Sequence, residues 1–123
     1  GQQFFDELSK CSMAVNISRG APIKYYSSDR SSSLLGNGLL TFIHEKYHYQ
    51  DFFSTKEIVT YKNIHDLNKK IIFFKNKPKL LRDIACRGHK KAHKIFNNKK
   101  IADYMVKLTL GEKIKQKEIW HNG

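Results

Sequence analysis

The chain has 123 residues, 40% hydrophobic and 12% aromatic, without a long low-complexity tract, which favours one domain with a modest core and excludes fibrous and disordered classes. No apolar run approaches the roughly 18 residues that span a bilayer, and Cys11 and Cys86 have neither metal-ligand spacing nor a disulfide framework. The net charge of +12, concentrated between Lys69 and Lys100, favours polyanions, nucleotides or anionic membranes, set against a plainly solvated lysine-rich surface.

Phe4, Phe5 and Leu8 recur at helical spacing, so Gln2 to Lys10 is expected to end an amphipathic helix. The run Met13 to Ile17 suits a buried strand, and Ser18-Arg19-Gly20-Ala21-Pro22 follows as a loop. Ser27, Ser28 and Asp29 are capping residues that open a short helix to about Leu35, closed by Gly36-Asn37-Gly38. A second strand follows directly, Leu39 to Ile43. His44 to Phe53 is aromatic and polar, with one helical turn expected near its end. Glu57 to Tyr61 reads as a third strand, rich in β-branched residues.

Beyond Tyr61 the pattern is helical. Asn63 caps a helix whose Ile64, Leu67, Ile71 and Phe74 share one face. Lys77-Pro78 breaks it and opens the next, with the apolar stripe Leu81, Ile84, Ala85, Ala92 and Phe96. Gly88, mid-helix, costs about 1 kcal/mol against Ala, which points to close packing there. A last helix is expected from Ile101 to Leu110, stopped by Gly111. Strands alternating with helices imply an α/β class. We expect a partial Rossmann-like three-layer domain with a small parallel sheet and a helical C-terminal half. Three strands are few for such a sheet, and a helix end comes first, so the chain reads as part of a larger domain.

The helix that opens after Ser28 carries the strongest functional signal. Free N–H groups at a helix start, with a nearby Arg, form an anion site. Arg30 is the leading candidate, with a surface ion pair to Asp29 or Glu57 as its alternative. Ser27 and Ser28 either donate to phosphate or act as caps. Lys24 and Arg19, in the preceding loop, are either within reach of the same anion or simply solvated. His44 and His48 are four apart, but no third ligand accompanies them and Glu45, and no metal is expected. His89 and His93, with Lys90 and Lys91 between them, are expected on an outward helix face. Cys86 has no base beside it in sequence and is not expected to be a nucleophile.

The order of these elements resembles a known family. Asp29 to Phe96 is similar to the C-terminal part of group 1 glycosyltransferases, especially a spore-maturation-type branch. The family pattern is an Arg, two residues, a Glu and small apolar residues ending at Gly before a strand. Arg30, Gly38 and Leu39-Leu40-Thr41 fall in register with it. Phe52-Phe53 resembles the family's next short helix, Glu57 to Tyr61 its next strand and Asn63 to Leu67 its Asp-Leu helix start, which Lys70-Ile71 continues. Ile84-Ala85-Cys86-Arg87-Gly88 resembles its Ile-Ala-x-x-Gly helix.

The resemblance implies residues 1–111 as the C-terminal, nucleotide-sugar-binding portion of a two-Rossmann-domain glycosyltransferase, with 112–123 as a tail. Its activity would be transfer of a sugar from a nucleotide diphosphate donor to a glycan or lipid-linked acceptor, inactive without the preceding acceptor domain. It implies no cofactor and no metal, and donor contacts from Arg30, Ser27, Ser28, Asp29, Lys24 and Ser33. Retaining members carry two glutamates eight positions apart; Tyr25 and Ser33 occupy those places here, leaving Ser33 and Asp29 as substitutes. Expected partners are the nucleotide-diphosphate sugar, the acceptor domain of the same protein, an anionic membrane surface and a second copy paired through an exposed sheet edge. The expected location is cytoplasmic, peripheral at the inner face of the cell membrane. The alternative is a basic nucleic-acid- or polyanion-binding module without catalytic activity.

Overall fold

The three apolar runs pair into a parallel sheet in the computed structural model, which describes residues 1–112. The elements are α1 (Gln2–Ser9), β1 (Met13–Asn16), α2 (Asp29–Gly36), β2 (Leu40–His44), β3 (Val59–Tyr61), α3 (Ile64–Lys75), α4 (Pro78–Ile95) and α5 (Asn98–Thr109). The sheet order is β1-β2-β3, with Phe42 opposite Val15 on one side and Val59 on the other. The fold is α/β, a partial Rossmann-like domain with a small open sheet.

Side chains alternate across a strand, so β2 feeds two cores. Leu40 and Phe42 pack with Leu67 and Phe74 of α3 and Leu81, Ile84 and Ala85 of α4. Ile43, on the other face, packs with Leu35 of α2 and with Tyr47, Tyr49, Phe53 and Ile58. Leu8 of α1 joins Leu34 and Leu39 beneath the start of β2. Helices therefore cover both faces, and Leu40, Phe42 and Ile43 are fully buried.

Capping sets the helix ends. Ser28 is the N-cap of α2, in extended conformation. At the other end Gly38 takes φ +75, its N–H bonds to the Leu35 carbonyl, and the Leu39 N–H bonds to the Leu34 carbonyl. This is a Schellman motif, completed by the apolar contact of Leu34 with Leu39. Gly36 stays helical, so of these two glycines it is Gly38 that needs glycine's freedom.

Three expectations shift. The third strand starts at Val59 rather than Glu57, because the Glu57 carboxylate accepts from the Ser54 N–H (2.8 Å) and hydroxyl (3.1 Å), folding 54–57 into a turn. The stretch after β2 makes two 3-10 turns, Glu45–Tyr47 and Tyr49–Asp51, rather than one. The last helix begins at Asn98, where Asn97 accepts from the Lys100 N–H. Of the tail 112–123, all but Glu112 lies outside the described residues. Among the described residues, no helix is long and apolar enough to cross a membrane.

Asn63 caps α3 through the Asp66 N–H (3.0 Å), and the Asp66 carboxylate accepts from Lys70 (2.9 Å) and the Lys62 N–H (3.0 Å). Lys70 also donates to the Thr60 carbonyl (2.7 Å), tying α3 to β3. The Lys70 hydrogen bond, then that of Lys62, holds the Asp66 carboxyl below its usual 3.8. A folded-state value lowered in this way adds stability above 3.8 that is lost as pH falls through the folded value. Urea denaturation of Asp66→Asn is expected to show a shallower loss of stability below about pH 4 than the parent chain.

Candidate functional site

The carboxyl ends of parallel strands are where α/β folds leave a crevice, since each chain turns away there into a helix. Behind β1 the segment 17–19 and the approach to α2, 26–30, enclose a cleft of about 570 Å3. Arg19 and Arg30 supply positive charge to it, and α2 points its N-terminus into the same region. Asp29 also lines it, and its carboxylate competes with any incoming anion for the helix end. Arg30 donates to the Ile17 carbonyl, which fixes the chain leaving β1 against the first turn of α2. The Ser18 hydroxyl is buried in this lining and, among the described residues, has no hydrogen-bond partner. An orphaned buried oxygen costs on the order of 1–3 kcal/mol, which a ligand oxygen in the cleft would offset.

A buried polar pair sets the geometry. Asn16, the last residue of β1, is 2% exposed and donates to the Ser31 hydroxyl at 2.8 Å. Ser31 is 1% exposed, and its Oγ lies 3.4 Å from that of Ser28, which also approaches the Asn16 side-chain oxygen at 3.4 Å. The end of β1 is thereby fastened to the first turn of α2 from below the cleft. Removing Asn16 strands Ser31 in the interior, so Asn16→Ala is expected to lose about 1–3 kcal/mol in chemical denaturation.

Of the residues singled out from sequence, the structure brings Ser27, Ser28, Asp29 and Arg30 to this cleft, together with Arg19. Lys24 and Ser33 stand elsewhere. The Lys24 ammonium lies over the Tyr25 ring, 4.6 Å from its centre. Ser33 lies along α2 and lines neither this cleft nor the cavity beside it. Tyr25 is held at φ 63: its N–H bonds to the Tyr47 carbonyl (3.0 Å), its hydroxyl to Asp51 (2.8 Å), and its ring packs on Phe52. A left-handed aromatic residue is uncommon and needs such support.

A second cavity, of about 300 Å3, adjoins the first, with Ser27 in the wall of both. Leu35, Tyr49, Ala92 and Phe96 make it largely apolar. His93 is exposed, as expected of an outward face, and its Nε2 lies 3.3 Å from the Gly36 carbonyl. His89 Nδ1 lies 3.3 Å from the Leu35 carbonyl, and the two rings meet edge-on at 4.4 Å. Both imidazoles thus approach carbonyls in the last turn of α2, that of Leu35 beside the Gly38 N–H it already accepts. Among the described residues no group of three His, Cys, Asp or Glu side chains is placed to hold a metal.

Sequence reasoning missed Asn16 and Ser31. The available signal was a lone Asn closing an apolar strand, a residue that must find a partner if buried. Nothing local pointed to the second cavity, whose walls are separated by long stretches of chain.

Comparison with protein families finds that residues 1–107 match a family described as glycosyl transferase-like. Comparison with curated proteins and with solved structures yields no match.

Proposed function

The chain belongs to the glycosyl transferase-like family, and from that premise we propose that it binds the donor of a sugar transfer, a nucleotide-diphosphate sugar. The cleft behind β1 carries this reading: Arg19, Arg30, the start of α2 and the unpartnered Ser18 hydroxyl converge where a diphosphate would sit. Ser27 and Ser28 are the further donors to phosphate oxygens, and no metal is part of the proposal because the helix end and two guanidinium groups offset the charge. Lys24 and Ser33 have no part in this proposal, since neither lines the cleft.

Within the family we favour the group 1, spore-maturation-type branch, on the order of motifs from Arg30 to Gly88. In this proposal the acceptor, a glycan or lipid-linked sugar, is held by a preceding domain of the same protein. Attachment to an anionic membrane surface, and pairing of two copies through the edge of the sheet, are compatible additions. The charge of +12 supports a second reading, a polyanion-binding module.

Titration with pyrophosphate, UDP, GDP, ADP and their sugar conjugates, followed by amide NMR shifts, tests the donor reading. The expected result is saturable binding with shifts concentrated in residues 17–19 and 26–32. Absence of binding to all of them, with binding to long nucleic acid that falls steeply with salt, would overturn it in favour of the second reading.

A further inference from the structure

α2 turns its other end, away from the phosphate cleft, toward α4, and two histidines meet there. We propose that His89 and His93 together bind a divalent transition cation of the kind imidazole favours, Zn2+, Ni2+ or Cu2+, which clips the end of α4 to the end of α2. α2 rises about 12 Å over its eight residues, so the pair stands apart from the cleft at its head and is independent of the donor reading.

His89 and His93 are four apart within α4, a regular helix from Pro78 to Ile95, so both project from one face. Paired histidines hold zinc on a helix at that spacing. His44 and His48 share the spacing without the helix, since β2 ends at His44 and a 3-10 turn follows. The rings of His89 and His93 have centres 4.4 Å apart and planes inclined at 68°. With metal–nitrogen bonds of about 2.0–2.1 Å, two imidazoles in neighbouring positions on one ion have centres roughly 4–5 Å apart. The pair already stands at that separation.

Hydrogen bonding fixes which nitrogens are offered. A carbonyl only accepts, so in the neutral rings the hydrogens sit on His89 Nδ1, 3.3 Å from the Leu35 carbonyl, and on His93 Nε2, 3.3 Å from the Gly36 carbonyl. The lone pairs then lie on His89 Nε2 and His93 Nδ1. A metal-bound imidazole commonly donates its second nitrogen to a backbone carbonyl, which orients the ring and raises its basicity. Here the carbonyls belong to α2, so a cation held by the two rings tightens the contact between helices and not α4 alone.

Lys90, Lys91 and Lys94 oppose a cation, Lys90 and Lys94 from exposed positions where salt screens them. The negative end of the α2 dipole faces the rings and favours one. Among the described residues no third His, Cys, Asp or Glu joins the pair, so water fills the remaining positions on the ion.

The test is titration of the full chain with Ni2+, chosen because the exposed thiols of Cys11 and Cys86 would capture copper. Calorimetry gives the affinity, and paramagnetic broadening of amide NMR signals gives the place. One equivalent is expected to bind, to broaden residues 35–38 and 86–94 before any others, and to raise the melting temperature. His89→Ala and His93→Ala are each expected to weaken binding about tenfold or more, since the second ring acts at high local concentration once the first is engaged. No binding, or broadening centred on His44, His48, His65 or Cys11, would overturn the proposal. Broadening spread over the surface without saturation would mean adventitious binding only and overturn it equally. Unchanged Ni2+ affinity in either folded variant would do the same, and if neither variant folds the broadening pattern of the parent chain decides.

Discussion

Gly88→Ala is expected to destabilise the protein by about 1–3 kcal/mol, although the same change in an open helix interior stabilises by up to about 1 kcal/mol. The sign follows from one contact. A Cβ at position 88 would lie 2.2 Å from the Glu57 carbonyl oxygen and 3.3 Å from its carbon. That carbonyl cannot easily retreat. Its turn is closed by the Glu57 N–H to the Ser54 carbonyl, by the Glu57 carboxylate on Ser54, and by Arg87 donating to the Lys56 carbonyl at 2.8 Å. The turn sits immediately before β3, so displacing it pulls on the sheet register. A melting temperature lower by roughly 5–10 °C is the expected readout for a domain of this size. Gly36→Ala is the control. Gly36 is helical, with nothing within 4 Å of the added atom, so that variant is expected to be neutral or slightly more stable. Equal effects at the two positions would show that the Glu57 carbonyl does not govern the packing of α4.

Arg30→Ala is expected to weaken pyrophosphate and nucleoside diphosphate binding by about 10- to 100-fold, the worth of a charge-assisted hydrogen bond to an anion. Arg30 has two tasks that must be separated. It holds the Ile17 carbonyl, and it brings a guanidinium to the cleft. Arg30→Lys keeps the charge and loses the planar fork, so an intermediate affinity is expected if the anion contact matters. A purely structural role predicts something different: both variants would lower the melting temperature alike, with affinities following folding and not charge. The affinity lost in Arg30→Ala should also shrink as salt rises, since the interaction at an exposed cleft is screened. An unchanged affinity in a folded Arg30→Ala chain would remove this residue from the site.

The candidate site was half visible beforehand. The serines and Asp29 stand at a helix start, and Arg30 follows within the first turn, so the gathering of these side chains at the head of α2 was legible. The places of Lys24 and Ser33 were not. Lys24 is drawn to the Tyr25 ring, and the strap before α2 is set by Tyr25 reaching Asp51, 26 residues along the chain. Of the two histidines expected on an outward face, His93 is exposed but His89 is half-buried, for a related reason. Helical periodicity gives the face a residue occupies, but α2 lies across that face, and its terminal carbonyls attract the imidazoles.

By itself the sequence determined the features decided within a turn or two of chain. These are the helix starts at Ser28 and Asn63, the Gly38 stop with its Leu34–Leu39 contact, Pro78 at the head of α4, and the three apolar strand runs. Each follows from dihedral preferences, caps and side-chain spacing, which act between neighbours. The tertiary structure alone decided the Asn16–Ser31 pair, Gly88 against Glu57, the two imidazoles against the end of α2, and the two cavities joined at Ser27. Those features arise where segments 15 to 57 residues apart meet. There the steric and hydrogen-bonding demands of a close-packed interior select among placements that local preferences leave nearly equal.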